Sequence, residues 1–233
     1  MSIESPKNSD KAKTARPLRF WGRWGEGIWI SAVSLLMIYL IIRYWPGQVQ
    51  MRIVAFLVLP FALLYRFARR PLRDYGLDFR NVKAQVRWTI YAYLLALPAV
   101  IVFSQREEFQ QFYGFSEPDG RSFLFKILVI HCVSMFAWEF LLRGFLLFAL
   151  AHHFGWWAVI LQEVIIFPAA HVGKPLPEIM FSAIAGIIFS VAAYRSKSFL
   201  PAFVAHWWLA ATHDAIVFVQ EWGWDPILRP FAN

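Results

Sequence analysis

FLFKILVIHCVSMFAWEFLLRGFLLFAL, residues 123–150, is apolar almost throughout and carries a carboxylate and a guanidinium in its middle. A helix needs about 20 mainly apolar residues to cross a bilayer, and this run is longer. Its apolar residues form runs and do not alternate, which favours a helix over a barrel strand. Glu139 and Arg143 stand four residues apart, so they share a helix face and can pair. Ionisable groups inside a span are costly; they face a bundle interior or a cavity and mark candidate functional sites. The pair serves either to fix helix packing or to hold the carboxylate in one geometry.

The rest of the chain reads the same way. Of 233 residues, 59% are apolar and 16% charged, against about 45–50% and about 25% in soluble domains. Seven windows are apolar enough to span: 27–45, 51–68, 86–104, 123–150, 155–171, 177–195 and 198–222. Pro60 and Pro98 interrupt two of them, kinks that neighbouring helices can absorb. The expected fold is all-α, a polytopic membrane helical bundle with about seven transmembrane helices. The first window ends at Tyr44-Trp45-Pro46-Gly47 without a small-residue cleavage site, so it reads as a retained span. The domain division expected is a disordered basic tail over 1–25, scaffold helices and loops over 26–122, a functional helical core over 123–222, and a short tail over 223–233. The single cysteine, Cys132, allows no intrachain disulfide.

The net charge of +8 is topological. Residues 1–103 carry 15 basic and 5 acidic side chains, whereas 123–222 carry 5 of each. Basic clusters fall in the N-terminal tail, between spans 2 and 3 (Arg66, Arg69, Arg70, Arg73, Arg80, Lys83, Arg87) and between spans 6 and 7 (Arg195, Lys197). With a cytoplasmic N-terminus and seven spans, all of them lie on one side, as the positive-inside bias requires. The expected location is the plasma (inner) membrane, multi-pass, with the lipid bilayer as a partner. No folded polar module presents these charges to nucleic acid, so a nucleic-acid partner is not expected.

Spans 1–3 hold almost no ionisable group, while the later ones hold His131, Glu139, Arg143, Glu163, His171, Glu178, His206, His213 and Asp214. His171 follows Phe167-Pro168 and precedes Val172-Gly173-Lys174-Pro175-Leu176-Pro177-Glu178, a turn into the next span. Glu178 also suits a helix start, where a carboxylate favours the dipole. His131 reads as a satisfied interior histidine. His206 has His213 and Asp214 about two turns on, so the three can share one broad face. Such a set fits water activation, metal ligation, proton relay or a plain interhelical hydrogen bond. Glu163, Phe167 and His171 form one stripe at four-residue spacing. Glu163 reads equally as a second acid or as a lipid-snorkelling residue. The windows place His171 near the end of span 5 and His206 inside span 7, depths that agree only if span 5 continues past His171 or the 172–177 segment dips inward.

Trp138-Glu139-Phe140-Leu141-Leu142-Arg143-Gly144, then Phe167-x-x-x-His171, then His206 resemble the three motifs of the CPBP family of CAAX- and bacteriocin-processing intramembrane proteases. Those motifs are Glu-Glu-x-x-x-Arg, Phe-x-x-x-His and His-x-x-x-Asn. Asp74-Tyr75-Gly76-Leu77 resembles a short segment common upstream of them. Trp138 stands at the first Glu, and Ala210 stands where the third motif has Asn, with Asp214 one turn further. The resemblance implies peptide hydrolysis near the bilayer, with water activated by Glu139 and His171 and with Arg143 locking Glu139. His206 would sit at the oxyanion, oriented by Asp214. Glu178 and Trp138 are the expected substrate-binding residues. The expected partner is a peptide or C-terminal segment of a membrane-associated protein. No cofactor is expected; two His and a carboxylate could hold zinc, but no His-Glu-x-x-His selects it. The alternative is a catalytically inactive CPBP-like membrane protein that binds a peptide or partner membrane protein. A transporter with the polar stripe as its path is a third class, and the two halves show no inverted repeat.

Overall fold

The computed structural model describes residues 25–44, 48–67, 71–158 and 162–230. The basic tail expected to be disordered lies outside the described residues except for Gly25, as do Arg69 and Arg70. The described residues are helical with connecting turns and no strand. The main helices are α1 (Gly25–Tyr44), α2 (Val49–Arg66), α3 (Val82–Ser104), α4 (Glu107–Tyr113), α5 (Gly120–His152), α6 (Leu176–Ser196) and α7 (Leu200–Trp222).

Their limits follow from local chemistry. The Asn81 side chain accepts from the Ala84 amide at 3.2 Å and starts α3. Asp119 does the same for the Arg121 amide at 3.0 Å and starts α5. Pro177 and Pro201 stand in the first turns of α6 and α7, where the missing N–H has no intrahelical partner to lose. Within α5, Lys126–Ile130 and Phe140–Leu146 are wound as wider π-helical turns, a local rewinding found mostly at functional sites.

Among the described residues, five helices are long and apolar enough to cross a membrane, and α1 contributes a shorter apolar run, Ile28–Tyr44. Many of their apolar side chains, such as Leu95 at 66% exposure, face outward. That outward apolar surface is what a lipid environment covers. The architecture is that of a multi-pass membrane protein. The fifth expected window, 155–171, is described at 155–158 and 162–171. The π-wound turn Gln162–Ile166 runs directly into the helical residues Phe167–Ala169, and turns follow through Lys174. The segment leads from the end of α5 near Lys197 to the start of α6 near Tyr113, from one end of the bundle to the other.

α3 packs more extensively on α7 than on any other element, and also on α6. α3, from the part of the chain expected to be scaffold, thus packs as a wall against the later helices. At one end of the bundle Tyr113 reaches Glu178, and the Trp222 indole donates to the Phe115 carbonyl at 3.2 Å. At the other, the Phe199 amide donates to the Gly76 carbonyl at 3.1 Å. Gly76 adopts φ +80°; a Cβ there would stand 2.5 Å from the Phe148 ring and 3.4 Å from Cα of Gly144. The Asp74-Tyr75-Gly76-Leu77 turn thus seats itself directly on the Arg143-Gly144 level of α5.

Candidate functional site

The wide turn of α5 brings Arg143 into the middle of the bundle with no exposure. A buried guanidinium is tolerable only if its donors are satisfied. Nη1 donates to Glu139 Oε1 at 3.1 Å, Nη2 to Glu163 Oε2 at 2.8 Å and Nε to Ser190 Oγ at 3.3 Å. The Ser190 hydroxyl in turn donates to Glu163 Oε1 at 2.6 Å. The guanidinium also lies 4.1 Å over the Phe167 ring. The expected Glu139–Arg143 pair is present, and Glu163 is its third member. Gly186 of α6 makes the room: a Cβ there would collide with the Glu163 carboxylate and reach within 2.8 Å of Phe167.

Glu139 has a second partner. Nδ1 of His206 lies 2.6 Å from the same Oε1, while Oε2 is buried without a partner among the described residues. The carboxylate is fully buried. His206 stacks on Phe189 at 5.1 Å between centroids and stands 6.3 Å from Phe167. His171 packs edge-on against Phe167 at 4.6 Å, and its Nδ1 is 2.8 Å from the Phe167 carbonyl. A carbonyl only accepts, so Nδ1 carries the proton and Nε2 is left as the acceptor.

Both histidines line one cavity of about 180 Å³. The two rings meet at one level, with Phe167 beside both. Apolar walls come from Ala96 and Val100 of α3, Ala185 and Phe189 of α6, and Leu209 of α7. Glu139, Arg143 and Glu163 stay behind this wall.

The other end of the cavity is polar. Asp214 accepts from Lys126 Nζ at 2.8 Å, lies 2.8 Å from His131 Nε2, and is 3.4 Å from His213 Nδ1. His131 is thus a satisfied histidine. Its partner Asp214 serves this cluster and does not orient His206, whose carboxylate partner is Glu139. Glu178 accepts from Tyr113 at 2.7 Å and from Lys174 at 2.6 Å. Burial, and then the Glu178 carboxylate beside it, hold the Tyr113 phenol above its ordinary range. Glu178 lines the cavity; Trp138 does not, and packs 4.6 Å from the Phe56 ring of α2. Among the described residues, no three His, Cys, Asp or Glu side chains are grouped to ligate a metal.

Sequence reasoning missed Ser190, Gly186, Tyr113 and Lys126 as members of the site and left Glu163 undecided. The stripe Glu163-Phe167-His171 was the one available signal for Glu163. Nothing in a helix as apolar as α6 distinguishes Gly186 from an ordinary packing glycine.

Residues 120–212, about two fifths of the chain, match the family model described as Type II CAAX prenyl endopeptidase Rce1-like, within the CPBP family. The matched stretch holds Glu139, Arg143, Phe167, His171 and His206 and ends before Asp214. Over the part that builds the site, the chain is similar to a protease family. No curated protein and no solved structure matches the chain.

Proposed function

We propose that this chain is an intramembrane endopeptidase acting on a peptide or C-terminal segment of a membrane-associated protein. The observation that carries the reading is the shared cavity: His171 and His206 face one space, with an ion-paired carboxylate behind one of them. In this reading water enters the cavity and His171 Nε2 takes its proton as the oxygen attacks the peptide carbonyl. The C–N bond then breaks, and the same proton goes to the leaving amine. In its imidazolium form His206 donates Nδ1–H to Glu139 and Nε2–H to the oxyanion. Two carboxylates facing one guanidinium accommodate that extra positive charge. Glu139 is shut off from the cavity, so it acts through His206 as a positioning residue, in place of the water-activating role expected from its motif. Arg143 and Glu163 fix the carboxylate. Asp214, Glu178 and their cationic partners form the polar end that meets substrate. Acid–base side chains suffice, and no step is routed through a metal.

The basic end of the bundle, with the N-terminus, is proposed to face the cytoplasm across a plasma membrane. The test is cleavage of an internally quenched peptide library by the full chain in proteoliposomes. Activity that His171→Ala and His206→Ala each reduce by about 10²-fold or more supports the reading. Peptide binding without cleavage in the wild type would replace it with that of an inactive peptide-binding relative.

A further inference from the structure

At the end of the bundle remote from Tyr113 and Glu178 lies a second, open cavity of about 390 Å³. Phe148, Ala151 and His152 of α5 and Tyr194 of α6 form its floor. Arg73 and Arg80, from the turn before α3, and Lys197, from the turn after α6, line it with Asp74 and Asp78. The cations are not equivalent. Arg80 grips Asp78 with Nε and Nη2 at 2.5–3.2 Å, and Arg73 lies 3.7 Å from Asp74. Lys197 has no carboxylate partner among the described residues; its ammonium lies 5.1 Å over the Tyr194 ring. Lys197 is also the one non-glycine among the described residues with a left-handed backbone, φ 61°. A helix C-terminus of this form normally takes glycine, and a side chain there costs conformational energy. Strain of this kind, kept where glycine would relieve it, points to a use for the side chain.

The surroundings fit a bilayer interface. Arg195 lies 6.0 Å over Trp156, Trp156 packs against Tyr194 at 5.8 Å, and Trp157 is exposed. Tryptophan and tyrosine at this level form the aromatic belt of membrane proteins. Basic pockets between membrane helices bind anionic headgroups. One ammonium without a carboxylate partner, beside the Phe148 and Tyr194 rings, matches one phosphodiester with its acyl chains alongside, and not a polyphosphorylated headgroup.

We propose that this cavity binds the phosphodiester of an anionic phospholipid, one whose headgroup carries no compensating cation, with Lys197 as its principal contact. The inference rests on the membrane placement above and not on proteolysis. Because Phe148 also packs on Gly76, an occupied site would brace the 72–77 turn against α5.

The test is the thermal midpoint of the full-length protein in neutral detergent, titrated with phosphatidylglycerol, phosphatidylcholine or inorganic phosphate. A saturable rise of about 3–8 °C is expected with phosphatidylglycerol alone. Lys197→Gly relieves the backbone, so it should fold at least as stably as the wild type and lose the rise. Lys197→Arg should keep most of it. An equal rise with phosphatidylcholine or with inorganic phosphate overturns the lipid headgroup assignment. So does an undiminished rise in Lys197→Gly, or no rise in the wild type. None of these readouts uses peptide cleavage, so failure of the protease reading leaves them intact.

Discussion

Oε1 of Glu139 is shared between Nδ1 of His206, at 2.6 Å, and Nη1 of Arg143, at 3.1 Å. One oxygen thus joins a buried ion pair to the ring that faces the cavity. Glu139→Gln keeps the volume and removes the charge that holds the imidazole. It should lower kcat by about 10²–10⁴-fold while changing KM little, since the carboxylate does not line the cavity. Steady-state kinetics on a cleaved library peptide would show this. A pure KM effect would mean that Glu139 contacts substrate.

Glu163 and Gly186 should behave as one unit. Glu163→Ala leaves Arg143 buried with a single carboxylate, and loss of one partner from such a group costs about 3–5 kcal/mol. Gly186→Ala pushes a methyl into the same carboxylate. Both should lower the thermal midpoint sharply, and the double variant should lose less than the sum of the two. Additive losses would show that the two residues are uncoupled.

Among glycines with positive φ, Gly76 and Gly173 separate strain from crowding. Both have left-handed backbones, at +80° and +95°, but a Cβ at Gly173 meets open space whereas one at Gly76 meets Phe148. Gly173→Ala should cost about 1–2 kcal/mol. Gly76→Ala should cost more and should also reduce cleavage, because the displaced turn backs Gly144. Equal midpoints for the two variants would sink this account of the turn.

The Tyr113 phenol, held above its ordinary value near 10 by burial and Glu178, gives a one-sided pH dependence. Its contribution to stability is intact below about pH 10. It is lost as the pH rises above that value, because the unfolded chain ionises there and the folded one resists. Thermal midpoints measured upward from pH 9 should fall more steeply in the wild type than in Tyr113→Phe. Parallel curves would mean that the phenol does not sense the fold.

Chelation with ortho-phenanthroline should leave cleavage unchanged if the two histidines and their carboxylate do the chemistry unaided. Loss of activity restored by zinc would move the reaction onto a metal.

The helical fold was legible because a bilayer asks little beyond length and apolarity, and 123–150 meets both. Glu139 and Arg143 were legible as a pair because four residues bring them to one face. The contact from Glu139 to His206 spans 67 residues and from Arg143 to Glu163 spans 20, distances that no local periodicity reports. The wide winding at Gln162–Ile166 was hidden because such a turn has no apolar signature of its own. The part of α3 in the cavity was hidden too. Ala96 and Val100 look the same in a sequence whether they face a neighbour, a lipid or a substrate. Trp138 was misplaced for a related reason: its neighbour in the motif fixed its position in the chain but not the side of α5 on which it stands.

Phe167 lies between the guanidinium of Arg143 on one side and the rings of His171 and His206 on the other. It works as a gasket. Glu139, Arg143 and Glu163 stay buried, where their attractions are strongest, while the two histidines line the cavity. For the proposed hydrolysis a centre embedded in oil has to be wet at one point only, and a single benzyl ring would draw that shoreline.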